Sequence, residues 1–165
     1  MRGTPAAVAL RPLLLMALAL VATLATAAPV AASADVQTEA ERVLAIASEQ
    51  LGDRWAFAAT GPTEFDCSGF VFYSFKEAGL RDRIGNKRRT VRGYYRWFNR
   101  RGLASKTNPR PGDLVVWGRN KHIGIYIGDG KAISALVNPY GVKIHAVKGY
   151  LNVRFKAYLH VNLER

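Results

Sequence analysis

Cysteine and acidic residues are scarce in this chain. Cys67 is the single cysteine among 165 residues, so no disulfide can form within the chain. Asp and Glu total 12 against 24 Lys and Arg, which leaves a formal net charge of +12. No cluster of metal-ligand residues is visible, and no internal repeat is present. The fold must therefore depend on a hydrophobic core, and one domain of this length can bury such a core without metals or disulfides.

Long apolar runs are confined to the N-terminus. Basic residues precede an uncharged apolar stretch, residues 13–24, and two A-x-A sites follow, ending at Ala27 and Ala34. This pattern predicts a secretory signal peptide over residues 1–34, cleaved after Ala27 or Ala34, and one domain over residues 35–165. An uncleaved membrane anchor is the alternative. After cleavage we expect no stable membrane span, a monomer, and a secreted or cell-envelope location in a bacterium.

The excess of positive charge favours an anionic partner, because a basic surface concentrates polyanions around it. Nucleic acid is one such partner, and an anionic envelope polymer or a membrane surface is another. For an exported protein the envelope polymer is the simpler assignment, and we expect no nucleic acid. A basic surface that serves only solubility is the alternative, since net charge informs on association and not on fold.

Two helices are predicted ahead of a β-rich half. A Thr-x-x-Glu capping box at Thr38 predicts a first helix over residues 36–51. Asp66 is a good N-cap residue for a second helix that starts at Cys67 and ends near Gly79.

The second half of the chain has the pattern of strands, with short β-rich runs separated by turns that contain Gly or Pro. These runs occupy residues 114–117, 123–127, 132–137, 142–147 and 154–161. Because the helices precede the strands, the pattern predicts an α+β domain in which N-terminal helices pack on an antiparallel β-sheet meander.

Between the two halves lies a basic, irregular region, residues 81–101, where nine Arg and Lys residues alternate with aromatic ones. Such a composition can bind single-stranded nucleic acid through charge and stacking. Four apolar residues of this region also share one helical face, which favours burial, and we prefer that interpretation for the aromatic residues. They are Val91, Tyr94, Tyr95 and Phe98. The arginines remain candidates for contacts with an acidic ligand.

Cys67 has two interpretations. At a helix start the positive end of the helix dipole would favour its thiolate, the form that acts as a nucleophile. A buried free cysteine can instead act as a small hydrophobic residue. Export favours the nucleophile, because an unpaired cysteine in an exported protein points to a reactive thiol or an intermolecular link.

His122 is the candidate general base. It lies at the start of a predicted strand, where it can face a cleft while the strand anchors it. A thiol nucleophile needs a base within hydrogen-bond reach, and a helical Cys followed by a strand His is the chain order of papain-like enzymes. The alternative is a histidine at the sheet edge with satisfied hydrogen bonds and no catalytic role.

Three motifs together resemble a known family. They are FDCSGFV at residues 65–71, RPGDLV at residues 110–115 and HIGIYIGDG at residues 122–130. In this order and spacing they resemble the NlpC/p-sixty family of bacterial cell-wall cysteine peptidases. The resemblance covers most of the chain from Leu51 to the C-terminus.

The resemblance implies a papain-like fold and hydrolysis of peptidoglycan stem peptides, typically between γ-D-glutamate and a diamino acid. Cys67 matches the family's nucleophile and His122 its base, and no metal or organic cofactor is required. Asp66 and Ser68 match positions that help to bind substrate. The backbone N–H of Cys67 would contribute to the oxyanion hole.

One departure from the family concerns the substrate cleft. The family often has an aromatic-Gly-Gly run with a tyrosine that touches substrate, and here Trp55 takes that place without a phenolic hydroxyl. Trp55 and Phe57 share a face if the segment is extended, so they line either a substrate cleft or the core.

A second departure concerns the residue that orients the catalytic histidine. In this chain the orienting position is Ser134. If residues 138–141 close a hairpin, counting back from the turn places Ser134 directly opposite His145. We hypothesise that His145, alone or through Ser134, orients His122. A strand histidine with no role in the site is the alternative.

These observations favour an exported cysteine peptidase of peptidoglycan that acts through an acyl-enzyme. A related envelope amidase or a wall-degrading toxin on the same catalytic pair is a second hypothesis. A catalytically inactive wall-binding module is a third. It is motivated by Ser134 and by Ala58 and Ala59, which stand where the family has its two glycines.

Overall fold

Helices precede strands along the chain, as predicted for an α+β domain. The computed structural model describes residues 37–149 and 152–164, so the predicted signal peptide lies outside the described residues. The elements are α1 (Glu39–Glu49), β1 (Arg54–Trp55), β2 (Glu64–Phe65), α2 (Cys67–Glu77), a 3-10 helix (Arg81–Ile84), α3 (Val91–Asn99), β3 (Ala104–Ser105), β4 (Leu114–Trp117), β5 (His122–Gly128), β6 (Lys131–Leu136), β7 (Gly141–Ala146) and β8 (Phe155–Leu159). Within the described residues, no helix has the length and apolar character needed to cross a membrane.

The first helix starts at the predicted capping box. The backbone N–H of Glu41 donates to Oγ1 of Thr38 at 3.2 Å, and the N–H of Thr38 donates to the Glu41 carboxylate at 2.8 Å. The helix is shorter than the predicted range 36–51, because Thr38 has an extended backbone conformation and Gly52 has a left-handed one.

The second helix begins at Cys67, as predicted. The Asp66 side chain caps it by accepting the backbone N–H of Gly69 at 2.6 Å. The helix ends at Glu77, and Gly79 follows with φ of +76°. A left-handed residue is common just beyond a helix C-terminus, and glycine adopts this conformation without steric cost.

The basic region over residues 81–101 is not irregular, and that prediction is wrong. It contains a 3-10 helix and α3, which begins where the Thr90 side chain accepts the N–H of Gly93. The preferred interpretation of its aromatic residues is confirmed, because Tyr94 and Phe98 are fully buried. Tyr95 is half-buried.

Over the part of the chain that the structure describes, the main sheet has six antiparallel strands in the order β3-β8-β4-β5-β6-β7. Strands β4 to β7 form the predicted meander. The last strand does not continue it: β8 returns to the other side of β4. All four residues of β4 are buried, so this strand needs a partner on each side, and β8 supplies the second.

The register between β6 and β7 differs from the predicted one by two residues. Ser134 pairs with Lys143, and His145 pairs with Ala132, so the predicted direct opposition of Ser134 and His145 is wrong. Leu136 pairs with Gly141, which places the turn one residue earlier in β6 than expected. Because side chains alternate with a period of two, the shift leaves His145 on the same face as Ser134, as a diagonal neighbour.

Helix α2 packs on β5 and β6 and joins them in one apolar core. Phe70, Val71 and Phe75 of the helix are fully buried against this core, as are Ile123 and Ile133 of the sheet. The core therefore holds the first turn of α2 against the start of β5, which are the two places where the predicted nucleophile and base lie.

The third histidine, His160, connects segments at the β3–β8 end of the sheet. Its Nδ1 donates to the buried Asp113 carboxylate at 2.9 Å, and its Nε2 lies 2.7 Å from Oγ of Ser105. Asp113 also accepts the backbone N–H of Val161 at 2.9 Å. These contacts attach the segment after β8 to the loop before β4.

Candidate active site

One cleft collects most of the residues that the sequence singled out. It has a volume of about 870 Å³ and opens between the start of α2, the start of β5, and the loops that precede β5 and α3. Its lining includes Trp55, Phe57, Asp66, Cys67, Ser68, Arg88, Arg89, Arg92, Asn120, Lys121 and His122. The expectation that Trp55 and Phe57 line either a cleft or the core is resolved in favour of the cleft, although Trp55 also packs against the core.

Cys67 and His122 come together in this cleft. The Cys67 thiol lies against the backbone N–H of Ile123, the residue that follows His122. Cys67 is the first residue of α2 and His122 the first of β5, so each is anchored by the element that begins with it. The arrangement places a thiol and an imidazole at one wall of a solvent-accessible cavity.

Burial raises the pKa of the Cys67 thiol to about 11, and the nearby Asp66 carboxylate acts in the same direction. The backbone N–H groups of Ile123, Ser68 and Cys67 oppose this shift. The N–H groups at the helix start therefore act in the expected direction, but burial outweighs them. Loss of solvation destabilises the thiolate more than the N–H groups at the helix start stabilise it.

His122 takes part in a chain of three hydrogen bonds that crosses β5, β6 and β7. Its Nε2 lies 2.8 Å from Oγ of Ser134, and the same hydroxyl lies 2.7 Å from Nε2 of His145. The Nδ1 of His145 lies 3.0 Å from the backbone carbonyl of Ala146. Ser134 and His145 are both buried.

The Ala146 carbonyl sets the direction of this chain. A carbonyl only accepts, so Nδ1 of neutral His145 carries the proton and its Nε2 accepts from Ser134. The Ser134 hydroxyl, having donated its one proton, then accepts from Nε2 of His122. This leaves Nδ1 of His122 unprotonated, which is the state that a general base needs.

The imidazole of His122 is neutral over the physiological pH range. Burial lowers its pKa to about 4, and the charge that His145 would carry adds to the effect. Burial also lowers the pKa of His145, against the hydrogen bond from its ring to Ala146. Together with the raised pKa of Cys67, these shifts make the resting pair a thiol and a neutral imidazole.

Asp66 and Ser68 form a small polar network at the mouth of the cleft. The Ser68 hydroxyl donates to Asp66 Oδ1 at 2.8 Å, and the guanidinium of Arg88 forms an ion pair with Asp66 Oδ2. The sequence did not single out Arg88 among the nine basic residues of its region, because nothing local marks the one that reaches Asp66, 22 positions away.

The cleft is strongly basic. Arg88, Arg89, Arg92 and Lys121 line it, and Asp66, which Arg88 neutralises, is the one acidic residue in the described lining. Among the residues that the structure describes, no three His, Cys, Asp or Glu side chains come close enough to form a metal site.

A helix-borne cysteine beside a strand-borne histidine, in a domain of helices packed on an antiparallel sheet, is the arrangement of papain-like cysteine peptidases. The sequence model of the NlpC/P60 family matches residues 52–159, and the chain belongs to this family. The resemblance seen in the three motifs is thereby confirmed, and so is the α+β, papain-like fold class.

Curated relatives carry names of the same kind. A protein of Listeria monocytogenes named "Probable endopeptidase p60" is 36% identical over 110 residues, which are 65% of this chain and 21% of that protein. A protein of Mycobacterium tuberculosis, also named as a probable endopeptidase, is 30% identical over 106 residues, or 64% of this chain and 25% of that protein. The chain thus spans about a fifth to a quarter of the length of these two relatives.

Solved structures share the fold. The NlpC/p60 domain of the peptidoglycan hydrolase SagA is 25% identical with a TM-score of 0.60, over 74% of this chain and 98% of that one. The P60 domain of an antigen from M. avium subspecies paratuberculosis is 21% identical with a TM-score of 0.57, over 77% of this chain and 96% of that one.

Proposed function

We propose that this protein is an exported peptidoglycan hydrolase that cleaves stem peptides with Cys67 as nucleophile and His122 as base. The observation that carries the proposal is the hydrogen bond from Nε2 of His122 to Ser134, which leaves Nδ1 to accept a proton in the cleft that holds the Cys67 thiol. Family membership and the names of the relatives support the same activity.

Acylation begins from the neutral pair. The Cys67 sulfur attacks the carbonyl carbon of the amide while its proton passes to Nδ1 of His122, which becomes imidazolium. The backbone N–H of Cys67, at the start of α2, donates to the oxyanion that forms. When the carbon–nitrogen bond breaks, imidazolium returns the proton to the leaving amine, and the acyl group stays on sulfur as a thioester.

Deacylation repeats these roles with water. Neutral His122 takes a proton from a water molecule as the oxygen attacks the thioester carbonyl, and the thiol leaves with that proton restored. Because the pKa values of Cys67 and His122 lie near 11 and 4, proton transfer accompanies attack and does not precede it. No metal or cofactor enters either step.

Ser134 and His145 act as positioning residues in this scheme. The chain from His122 to the Ala146 carbonyl holds the imidazole in one tautomer and one ring orientation. When His122 becomes imidazolium, its Nε2–H still donates to Ser134, so the same contact stabilises both protonation states.

The charge of the cleft supports an acidic peptide as substrate. Arg89, Arg92 and Lys121 line the same cleft as the neutralised Asp66–Arg88 pair, so carboxylates entering the cleft meet a positive field. Stem peptides carry such carboxylates, and we propose that the bond cut lies between γ-D-glutamate and a diamino acid. Trp55, Asp66 and Ser68, which all line the cleft, would contact the substrate.

Export is part of the proposal because the substrate lies outside the cytoplasm. The N-terminal 34 residues have the composition of a cleaved signal peptide. After cleavage the enzyme would act as a monomer, secreted or held at the envelope.

The test is incubation of the purified protein and its Cys67→Ala variant with defined muropeptides, followed by mass spectrometry. Cleavage at the γ-D-glutamyl–diamino acid bond by the wild type alone is expected. Cys67-dependent cleavage at another amide would identify a related amidase. Absence of any Cys67-dependent product would overturn the proposal and leave a wall-binding module.

A further inference from the structure

A second concave surface lies beside the cleft. Two adjoining cavities of about 520 Å³ each share Lys106, Arg154 and Phe155, so they form one continuous groove along the start of β8. We call this surface the basic groove, and its cations are Lys106, Arg119, Lys148, Arg154 and Lys156.

The cations of the basic groove have no acidic partner within the described part of the chain. None of the five takes part in an ion pair, and the described lining of the groove contains no Asp or Glu. Four of them are exposed, and Lys156 donates to the neutral side chain of Asn120 at 2.9 Å. Uncompensated charge of one sign in a groove attracts an extended anion, because the positive potentials add along it.

The aromatic residues of the basic groove argue against nucleic acid as that anion. Nζ of Lys156 lies 3.7 Å from the centre of the Tyr95 ring, and Nζ of Lys148 lies 5.8 Å from the centre of the Phe155 ring. Recognition of single strands depends on open aromatic faces that stack with bases. Here an ammonium group lies over one face of each ring and both rings are half-buried, so the groove offers charge with little open aromatic surface for stacking.

The basic groove adjoins the catalytic cleft through one loop. Gly118 and Arg119 line the groove, whereas Asn120 and Lys121 line the cleft. The hydrogen bond from Lys156 to Asn120 directly connects the groove with the cleft. A long anion in the groove would therefore lie within a few residues of His122.

We propose that the basic groove binds a phosphodiester-linked anionic polymer of the cell envelope and holds the adjoining cleft close to wall peptides. Each phosphodiester carries one negative charge, and Arg and Lys bind phosphate oxygens through charge-assisted hydrogen bonds. The choice of an envelope polymer rests on the export in the proposed function. Binding of the polymer to the groove does not depend on peptide cleavage.

The test measures binding of the full chain to purified poly(glycerol phosphate) by calorimetry, at low and at physiological ionic strength. The variant Lys106→Gln/Arg119→Gln/Arg154→Gln is expected to bind at least about tenfold more weakly, since three exposed charge contacts are lost. Wild-type affinity is expected to fall as salt rises, because exposed charges are screened. The matched control, Arg96→Gln/Arg100→Gln/Lys131→Gln, removes equal charge outside the groove and should keep wild-type affinity within about twofold.

Equal losses in both triple variants would overturn the proposal, because net charge alone would then explain binding. Unchanged binding in the groove variant would overturn it as well. Single-stranded DNA that binds as tightly as the polymer at equal charge concentration would replace the proposed partner with nucleic acid. If the triple variant does not fold, Arg119→Gln and Arg154→Gln are measured singly, and each should weaken binding about two- to threefold.

A hydrolysis assay separates this proposal from the proposed function. The groove variant should cleave soluble muropeptides at the wild-type rate but digest polymer-bearing walls several-fold more slowly. Loss of both rates in parallel would contradict a role in wall attachment. A wild type that binds the polymer but cleaves no muropeptide would overturn the proposed function and leave the groove assignment intact.

Discussion

Nε2 of His122 lies 2.8 Å from the hydroxyl of Ser134, a residue that can both accept and donate a hydrogen bond. The same hydroxyl forms a hydrogen bond with His145 on the next strand, and His145 forms the last hydrogen bond of the series with the Ala146 carbonyl. Serine alone would not determine the tautomer of His122, because its proton can rotate to either side. The carbonyl at the far end removes that freedom.

Ser134→Ala and His145→Ala should each lower kcat on a defined muropeptide by about tenfold to hundredfold, since either change breaks the chain that orients His122. The double variant should be about as slow as the slower single variant, because both residues act through the same imidazole. Steady-state kinetics at neutral pH measure all three.

Lys143→Ala is the control for these variants. Lys143 is the residue that pairs with Ser134 in the sheet, but its side chain is exposed. It should keep wild-type kcat. Full activity in His145→Ala would reject a positioning role for this histidine.

In a pH–rate profile, kcat/KM should fall on the acid side with a midpoint near pH 4, which we call the acid limb. His122 must be neutral to accept the thiol proton, and burial lowers its pKa to about 4. Activity is therefore lost as pH falls through about 4 and is present above it. In His145→Ala the limb should move to higher pH, since the neighbouring positive charge that disfavours protonation of His122 is gone. A wild-type limb at pH 6 or above would contradict the burial of His122.

The Cys67 thiol should react slowly with iodoacetamide at neutral pH. Burial raises its pKa to about 11, so only about one molecule in ten thousand is a thiolate at pH 7. The alkylation rate, followed by mass spectrometry, should rise about tenfold per pH unit until it levels near pH 11. Cys67→Ser supplies the background, since Cys67 is the single cysteine. A rate that levels below pH 9 would show that the thiolate is favoured after all.

Gly124→Ala should reduce both stability and activity. A Cβ atom at this position of β5 would lie 2.7 Å from the Ile133 carbonyl oxygen and 2.8 Å from Cβ of Ser134, so β6 must shift. We expect a loss of about 1–3 kcal/mol in the free energy of unfolding, measured with urea, and a lower kcat because Ser134 moves.

Gly93→Ala is the matched control for that change. It lies in α3, where an added Cβ meets mainly the Arg89 side chain, at 3.1 Å or more. Because Gly93 lies in the first turn and the contact is only slightly tight, alanine should change stability by less than about 1 kcal/mol and leave kcat unchanged. Equal stability of wild type and Gly124→Ala would contradict close packing of β5 on β6.

Features that depend on near neighbours were predictable from the sequence. The caps at Thr38 and Asp66 join atoms within three residues, so a short pattern contains both partners. The motifs around Cys67 and His122 likewise predicted the family and the fold class, and the comparisons confirm both. The α3 helix was missed as an element because arginines surround its apolar face, although that face predicted its burial.

By itself, the sequence determined the family through its three motifs. It also determined the α+β order of elements, the Thr38 capping box and the start of the second helix, because these follow from local hydrogen bonds and residue spacing. Only the tertiary structure decided the β6–β7 register, the return of β8 to β4, and the contact of His145 with Ser134. It also decided the thiol pKa, because the burial that desolvates Cys67 arises only when the chain packs. A helix start favours the thiolate by its local geometry, and packing around that start reverses the preference.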